Sequence, residues 1–284
     1  MEAISKKNPR IDFEIVEVKS HGDIDRKQPL WKVTDTGFFT AAIEDALAQG
    51  SADIAVHSYK DLPIEATDGL VIGAVIDRRF AHDCLICTDK INSIKELPEG
   101  ATVGTSSLRR KSQILRLRPD LRCEPIRGNV HTRISQVEKG GFDATILAYA
   151  GIERLELINK VSLHFDAAEF LPSPGQGALA VEARRKDGEI LKILAGIDDK
   201  NSRITSETER TVLHKIKAGC HAPAGVYSKI EGSEILICAF VSDENGQKFI
   251  QKEIKGPVQS ASKLALEMAE ELLKSGAGEL LKND

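Results

Sequence analysis

Strand-like and helix-like stretches alternate along the first half of the sequence, and this alternation restricts the fold more than any other feature. The stretches 106–117 and 130–138 have apolar residues at helical spacing, and Pro119 and Gly140 follow them as end signals. Elements of these lengths in this order indicate βαβ units, and they predict α/β domains with mainly parallel sheets. The short apolar runs predicted to be strands are Ile11–Val18, Ala52–Val56, Leu70–Ile76, Cys84–Thr88, Ala101–Gly104, Cys123–Ile126 and Ala144–Leu147.

The pattern changes after Pro172. The turn-rich segment PSPGQG at 172–177 leads into one more strand at 178–183. A helix at 201–217 is followed by three successive strands and a long helix at 258–274, an order that predicts a separate α+β module. The predicted fold class is therefore α/β, with two α/β domains and a small C-terminal α+β domain.

Charge and cysteine content limit the possible functions. The 284 residues carry a formal net charge of −4, which argues against a general nucleic-acid-binding protein. The five cysteines are odd in number and scattered, and this favours a reducing compartment over a disulfide framework. No apolar run is long enough to span a bilayer, and the N-terminal segment lacks the apolar region of a signal peptide. We expect a cytoplasmic protein with no membrane or nucleic-acid partner.

Arginine is concentrated in one short stretch of this acidic protein. Residues 104–133 contain seven Arg and one Lys against two acids. In GTSSLRR, a strand ends at Gly104 and hydroxyl side chains, including those of Ser106 and Ser107, stand at a helix start. Arg109 and Arg110 then lie in the first turn, where positive charge opposes the helix dipole unless an anion is bound. The alternative is a solvated basic helix face, which suits Arg116 and Arg118 better than Arg109 and Arg110.

A second anion site is predicted in RGNVHTR. Arg127 ends a strand, Gly128 allows the turn, Asn129 can cap the next helix, and Arg133 lies in its early turns. Ligands of parallel α/β sheets bind outside the carboxyl ends of the strands, where both arginine clusters fall. Two adjacent sites of this kind indicate a small ligand with several carboxylates or phosphates.

Two further stretches could carry chemistry. HSYKDLP follows a strand and places Lys60 and Asp61 at the mouth of the first sheet, where a carboxylate could stabilise cations and transfer protons. A surface Lys–Asp pair is the alternative. AGCHAPAG sets Cys220 between small residues in a loop, which favours a reactive or modified thiol, although most free cysteines are buried and inert.

These motifs together resemble one enzyme family, hydroxymethylbilane synthase, also called porphobilinogen deaminase. The resemblance covers essentially the whole chain, and it implies an enzyme that joins four porphobilinogen units into the linear tetrapyrrole 1-hydroxymethylbilane in tetrapyrrole biosynthesis. Each unit carries an acetate and a propionate, so the arginines would hold the carboxylates of a polyanion. The matching motifs, in chain order, are HSYKDLP, GTSSLRR, RGNVHTR, AGIERL, PGQGALAVE and AGCHAPAG.

The resemblance also implies a role for each matched residue. Asp61 matches the family's catalytic aspartate, which assists the loss of ammonia and stabilises the cations that follow. Cys220 matches the cysteine that bears a dipyrromethane cofactor through a thioether. No metal is implied. The residues implied to bind the carboxylates of substrate and cofactor are Lys60, Ser106, Ser107, Arg109, Arg110, Arg127, Arg133 and Arg154.

The fold implied by the resemblance has two domains like the halves of a type II periplasmic binding protein, joined by two crossing strands, and a third domain with the cofactor loop. The expected boundaries are 1–77 with 177–198, then 81–171, then 199–284. Residues 19–36 correspond to the family's mobile loop, with Thr36 in place of its usual lysine. We expect a monomer that passes its product to uroporphyrinogen-III synthase.

Two other interpretations fit parts of the sequence. A non-catalytic polycarboxylate-binding protein would explain the arginines but would need neither Asp61 nor Cys220. The other is an N-terminally truncated, inactive homologue, because the family opens with a strand, a Thr-Arg-x-Ser turn and a helix that have no counterpart before Arg10. That interpretation predicts a destabilised first domain and little or no turnover.

Overall fold

The computed structural model describes residues 1–18, 40–219 and 222–281. Within these ranges no helix is both long enough and apolar enough to cross a membrane. The helices are α1 (Glu2–Lys7), α2 (Ala41–Ala48), α3 (Leu108–Leu117), α4 (Val130–Glu138), α5 (Tyr149–Arg154), α6 (Gly188–Ala195), α7 (Lys200–Lys215), α8 (Ala261–Lys274) and α9 (Ala277–Leu280).

The strands form three separate sheets in the order β1-β8-β2, β5-β4-β6-β3-β7 and β11-β10-β9. The predicted class, two α/β domains followed by a small α+β domain, is confirmed. The strands are β1 (Ile54–Ser58), β2 (Leu70–Ile76), β3 (Asp83–Cys87), β4 (Thr102–Gly104), β5 (Arg122–Glu124), β6 (Ala144–Ala148), β7 (Leu163–His164), β8 (Leu179–Arg184), β9 (Ala224–Glu231), β10 (Glu234–Ser242) and β11 (Phe249–Pro257).

The first sheet is antiparallel, so the prediction of mainly parallel sheets is wrong here. β1 and β2 both pair antiparallel with β8, which lies between them. The reason is the path of the chain: it leaves this sheet after Ile76 and re-enters it at Leu179, directly opposite, so β8 runs back along β2. Helices α1 and α6 cover one face of the sheet, and Ile4 and Leu194 are buried there against Ala74 and Val181.

The predicted strand Ile11–Val18 does not form. This segment has no regular secondary structure, and Ile15 and Val16 are 77% and 48% exposed. A strand persists only when a neighbour pairs with its N–H and C=O groups. No described residue does so here, and the apolar alternation alone is not sufficient. β1 pairs only with β8 among the described strands and so lies at the edge of its sheet, and Val56 in its middle is 53% exposed.

The second sheet is mixed and positions the arginine clusters. β4 pairs parallel with β5 and β6, as predicted, whereas β3 runs antiparallel to β6 and β7. β4 ends at Gly104 and β5 at Glu124, so the segments leading into α3 and α4 begin at the same edge. A Cβ at Gly104 would lie 2.9 Å from the Ile126 side chain, so a larger residue there would force that side chain to move.

The third sheet packs on α7 and α8 in the predicted α+β arrangement. β10 pairs antiparallel with both β9 and β11. The core between this sheet and its helices contains Val212, Ile237 and Met268. Glu209 of α7 is fully buried and connects this module to the two crossing segments, the stretches between β2 and β3 and between β7 and β8 that link the first two sheets. Its carboxylate accepts hydrogen bonds from Arg78 Nη2 at 2.6 Å in the first segment and from the Gly175 N–H at 2.8 Å in the second.

Candidate active site

Lys60 and Asp61 lie in a short 3-10 turn, Tyr59–Asp61, that follows β1 directly. Arg210 of α7 holds this turn, because its guanidinium stacks 4.7 Å from the centre of the Tyr59 ring and donates to the carbonyls of Tyr59 and Leu62. The side chain of Asp61 is exposed. Burial lowers the pKa of Lys60, although Asp61 acts in the opposite direction. The turn therefore presents one exposed carboxylate beside a desolvated cation.

The hydroxyl groups at the start of α3 have structural partners. The Ser107 side chain caps the helix by accepting from the Arg110 N–H, and Ser106 Oγ donates to the Ile126 carbonyl at 2.7 Å. The second bond joins the loop after β4 to the loop after β5. Both serines line a cavity of about 280 Å³ that also contacts Lys111 and Glu244. The structure thus brings the two predicted anion-binding loops into contact.

Arg109 and Arg110 share a buried carboxylate that the sequence analysis missed. Arg109 NH1 lies 2.8 Å from Asp83 Oδ2, and Arg110 NH2 lies 2.7 Å from Asp83 Oδ1. Asp83 is 0% exposed; burial alone would raise the pKa of its carboxyl group, but the two guanidinium groups outweigh burial and hold that pKa well below its usual range. The sequence signal was an acid opening a buried strand, because acids are seldom fully buried unless they are paired.

Arg109 and Arg110 use different nitrogens of their guanidinium groups for contacts within the protein. Arg109 NH1 also donates to the Leu171 carbonyl at 2.7 Å, and burial lowers the pKa of Arg109. Arg110 uses Nε and NH2 on one oxygen of Asp83. One carboxylate balances only one of the two positive charges, so the pair keeps a net charge of about +1.

Arg127 and Arg133 form a second cationic group that has no acid partner among the described residues. Arg127 NH2 is buried and has no hydrogen-bond partner among the described residues. Arg133 Nε donates to the Gly128 carbonyl at 2.8 Å. Burial, together with the neighbouring charges of Arg110 and Arg127, lowers the pKa of Arg133 to about 10. Such crowding of like charges is relieved when an anion binds.

Arg154, Arg116 and Arg118 make contacts within the protein. Arg154 NH2 donates to the carbonyls of Asp77 and Gly177, so it fastens the two crossing segments together. Arg116 and Arg118 were predicted to lie on a solvated face, and this is only partly correct. Arg116 stacks 3.8 Å from the centre of the Phe249 ring, and Arg118 donates to two loop carbonyls and pairs with Asp120.

Two predicted features lie outside the described residues: Cys220, and the loop 19–36 with Thr36. The nearest described elements on either side of Cys220 in the chain are α7, which ends at Lys215, and β9, which begins at Ala224. No cluster of three or more His, Cys, Asp or Glu side chains suited to a metal ion occurs at positions 1–18, 40–219 or 222–281.

Two family models together match most of the chain. One, "Porphobilinogen deaminase, dipyromethane cofactor binding domain", matches residues 1–192, and the other, "Porphobilinogen deaminase, C-terminal domain", matches residues 203–274. The chain belongs to the porphobilinogen deaminase family. The interpretation drawn from the six motifs is therefore confirmed, and with it the type II periplasmic-binding-protein-like fold class.

Curated relatives agree with this assignment. The porphobilinogen deaminase of Alkaliphilus metalliredigens is 38% identical over 98% of this chain and 88% of its own length. That of Brevibacillus brevis is 42% identical over 96% of this chain and 88% of its own length. A probable amino-acid ABC transporter extracellular-binding protein from Bacillus subtilis, 13% identical, covers 69% of this chain and 76% of its own with a TM-score of 0.38. So low a TM-score adds nothing to the assignment.

The residues of the described site fit the dipyrromethane group for which the matched model is named. A group with several carboxylates needs buried cations that lack protein acids as partners. Arg127 Nη2 provides a buried donor that has no partner in the described ranges, and Arg133 provides a desolvated guanidinium beside it. Charge-assisted bonds of this kind are about twice as strong as neutral ones.

Proposed function

We propose that this chain is a transferase that deaminates four porphobilinogen molecules and joins them into 1-hydroxymethylbilane on a covalent dipyrromethane primer, in tetrapyrrole biosynthesis. One observation supports this most strongly. The turn bearing Asp61 is connected through Lys60 to the buried carboxylate that pairs with Arg109 and Arg110, since Lys60 Nζ lies 3.3 Å from Gln176 Oε1 and Gln176 Nε2 lies 3.0 Å from Asp83 Oδ1. A binding protein would need the arginines but not this exposed carboxylate, and nothing observed favours an inactive homologue.

Asp61 is proposed to be the catalytic residue. When the aminomethyl group of porphobilinogen loses ammonia, the C–N bond breaks, its electron pair leaves with the protonated nitrogen, and the pyrrole becomes a cation. A carboxylate beside the pyrrole stabilises that positive charge and can accept the proton released when the new carbon–carbon bond restores the aromatic ring. Asp61 suits both tasks because its side chain is exposed at the turn and is held in place by the anchored backbone beneath it.

The cations of the candidate site are proposed to hold the carboxylates of the substrate and the cofactor. Arg127 and Arg133 do so most directly, because no acid among the described residues pairs with them, and Arg110 contributes the surplus charge of its shared pair with Asp83. Lys60, Ser106, Ser107, Arg109 and Arg154 are assigned supporting contacts. The primer, attached at Cys220, supplies the nucleophilic pyrrole carbon that receives the first unit.

The function is tested by incubating the purified chain with porphobilinogen. We expect consumption of porphobilinogen, release of one ammonia per unit consumed, and a linear tetrapyrrole that closes to a porphyrinogen and is detected as porphyrin after oxidation. Binding of porphobilinogen without any release of ammonia would support the non-catalytic interpretation instead.

Removing single arginines should separate ligand binding from stability. We expect Arg127→Gln and Arg133→Gln to raise the KM for porphobilinogen roughly ten-fold or more, because a charge-assisted hydrogen bond contributes about 1.5–3 kcal/mol. Arg109→Gln should also lower Tm, because it leaves buried Asp83 with one partner fewer. Steady-state kinetics at two salt concentrations and thermal melting measure both effects. Arg185→Gln, an exposed site beyond β8, is the control, and an equal rise in KM there would contradict specific binding.

We further propose that the protein works as a monomer in the cytoplasm and passes its product to uroporphyrinogen-III synthase. The four described cysteines are all free, in keeping with a reducing compartment. Light scattering should give the mass of one chain, and a larger mass would contradict the monomer.

A further inference from the structure

Gln176 occupies a buried position between the first two sheets. It is 0% exposed and lies in the turn of the second crossing segment, between Gly175 and Gly177, both with positive φ. Its Nε2 donates to the Ala81 carbonyl at 2.8 Å and to Asp83 Oδ1 at 3.0 Å. Its Oε1 accepts from Lys60 Nζ at 3.3 Å. One side chain therefore contacts the turn of Asp61 and the acid that holds two arginines.

The chemistry of the neighbours determines how this amide is oriented. The Ala81 carbonyl and the Asp83 carboxylate are both acceptors, so they must face the NH₂ group. The Lys60 ammonium is a donor only, so it must face the oxygen. A glutamate here would place a second carboxylate against Asp83, and an apolar side chain would leave the buried ends of these groups without this partner. An amide satisfies both sides at once.

We propose that Gln176 is a positioning residue that fixes Lys60, and through it Asp61, relative to the arginines anchored on Asp83. The inference rests on the proposed function. The substrate's carboxylates are held on the arginine side and the reacting carbon must meet Asp61 on the other, so the separation of the two groups determines whether the bound substrate can react. Catalysis is sensitive to such separations, and a misplacement of about 1 Å can lower a rate roughly 10²-fold.

Gln176 could position Lys60, or it could only fill space in its turn. Replacing Gln176 has different effects on Tm, kcat and KM in the two cases. A side chain that only fills space would change Tm when replaced but would leave the catalytic rate of correctly loaded molecules unchanged. A positioning residue changes kcat more than KM, since the arginines still bind the carboxylates. It also changes the environment of Lys60, because a hydrogen bond to the charged form stabilises that form.

The experiment compares Gln176→Leu and Gln176→Glu with the unaltered protein. Rates are expressed per molecule that carries the covalent adduct, counted by intact mass, so that unfolded or unloaded protein does not contribute. For Gln176→Leu we expect kcat to fall about ten-fold or more with KM changed by less than about three-fold. Gln113→Leu is the matched control, because Gln113 is a buried glutamine that bonds Leu171 and touches neither Lys60 nor Asp83. It should lower Tm while retaining kcat.

Gln176→Glu provides a second, conservative test. A protonated glutamic acid keeps one O–H donor for Asp83 and one carbonyl oxygen for Lys60, whereas the ionised form repels Asp83. We therefore expect kcat near the unaltered value at low pH and a new fall in kcat as the pH rises through the pKa of the introduced acid. Tm measured at both ends of this range separates the effect from unfolding. A pH profile that keeps its shape would overturn the proposal, as would a Gln176→Leu variant with unchanged kcat.

A readout independent of turnover separates this inference from the proposed function. In protein labelled with ¹³C at lysine Cε, the Lys60 signal is identified by its loss in Lys60→Arg and is titrated with pH. The pKa of Lys60 should fall further in Gln176→Leu and should not change in Gln113→Leu. If the unaltered protein does not consume porphobilinogen, the proposed function fails, while the shift in this pKa still tests the contact. An unshifted Lys60 signal rejects the contact even if turnover is normal.

Discussion

Replacing Asp61 with alanine should leave the protein folded and able to bind porphobilinogen, but should lower kcat by ~10²-fold or more. The Asp61 side chain is exposed. The turn beneath it is held by the Arg210 side chain, which donates to the carbonyls of Tyr59 and Leu62, and by the buried Tyr59 ring, and none of these contacts involves the Asp61 carboxylate. The loss should therefore fall on the chemical step. The arginines that bind the carboxylates of the substrate are unaffected, so KM should change little.

The measurement is steady-state consumption of porphobilinogen together with thermal melting. Asp61→Asn keeps the shape of the side chain and removes its charge, so it should lose nearly as much rate as Asp61→Ala if the charge is what matters. Glu65→Ala is the matched control, an exposed acid a few residues further along the same loop. If Asp61→Ala retains more than about a tenth of the original kcat, its assignment as catalytic residue is wrong.

Sequence reasoning succeeded where the interactions are local. The helix starts were readable from their capping residues. Ser107 accepts a hydrogen bond from the Arg110 N–H, and Asn129 accepts one from the Thr132 N–H at 2.9 Å. Capping joins residues three apart, so the same few letters that predict it also form it. The strand-to-helix passages that carry Arg109 and Arg133 were predictable for this reason.

Sequence reasoning failed where distant residues decide the outcome. Asp83 and Arg110 are 27 residues apart, and nothing in either local stretch shows that they share a buried ion pair. The direction of β8 depends on where the chain returns to the first sheet, about a hundred residues after leaving it. Ile11–Val18 has the alternation of a strand but no partner among the described residues. In each case local pattern permits a structure, and the long-range contacts determine whether it forms.

The buried ion pairs of Asp83 with Arg109 and Arg110 show that the arginines of this stretch have different roles. From sequence, Arg109, Arg110, Arg127 and Arg133 are divided between two adjacent anion sites, and Arg116 and Arg118 are placed on a solvated helix face. In the structure Arg109 Nη1 bonds to Asp83 and Leu171, whereas Arg127 and Arg133 pair with no acid in the part of the chain that the structure describes. The stretch therefore combines cations that support the site with cations that bind the ligand. Loss of a supporting cation should affect stability as well as binding, which is why Arg109→Gln and Arg133→Gln are expected to differ in Tm.

Cys220→Ser should remove the covalent adduct and abolish turnover. Forming a thioether requires a thiolate as nucleophile, and the other four cysteines are poor candidates. Burial raises the pKa of Cys84 to about 12 and that of Cys123 to about 11. Burial, reinforced by Glu253, raises that of Cys238 to about 12, and burial also raises that of Cys87. At neutral pH the thiolate fraction of these groups is very small. Cys220 is the remaining thiol, and its loop, Gly219 to Pro223, is the segment that matches the family's attachment site.

Intact mass spectrometry after incubation with porphobilinogen measures the result directly. The unaltered protein should be heavier than its sequence by one dipyrromethane group, and Cys220→Ser should have the mass of its sequence alone. Cys87→Ser is the control, because Cys87, the last residue of β3, is a free cysteine that is only partly buried. This variant should keep both the adduct and turnover. An adduct that persists in Cys220→Ser would place the attachment at another residue. An unaltered protein that stays unmodified while consuming porphobilinogen would show that the chain grows without a covalent primer, and the arginines would then have to hold the growing chain through its carboxylates alone.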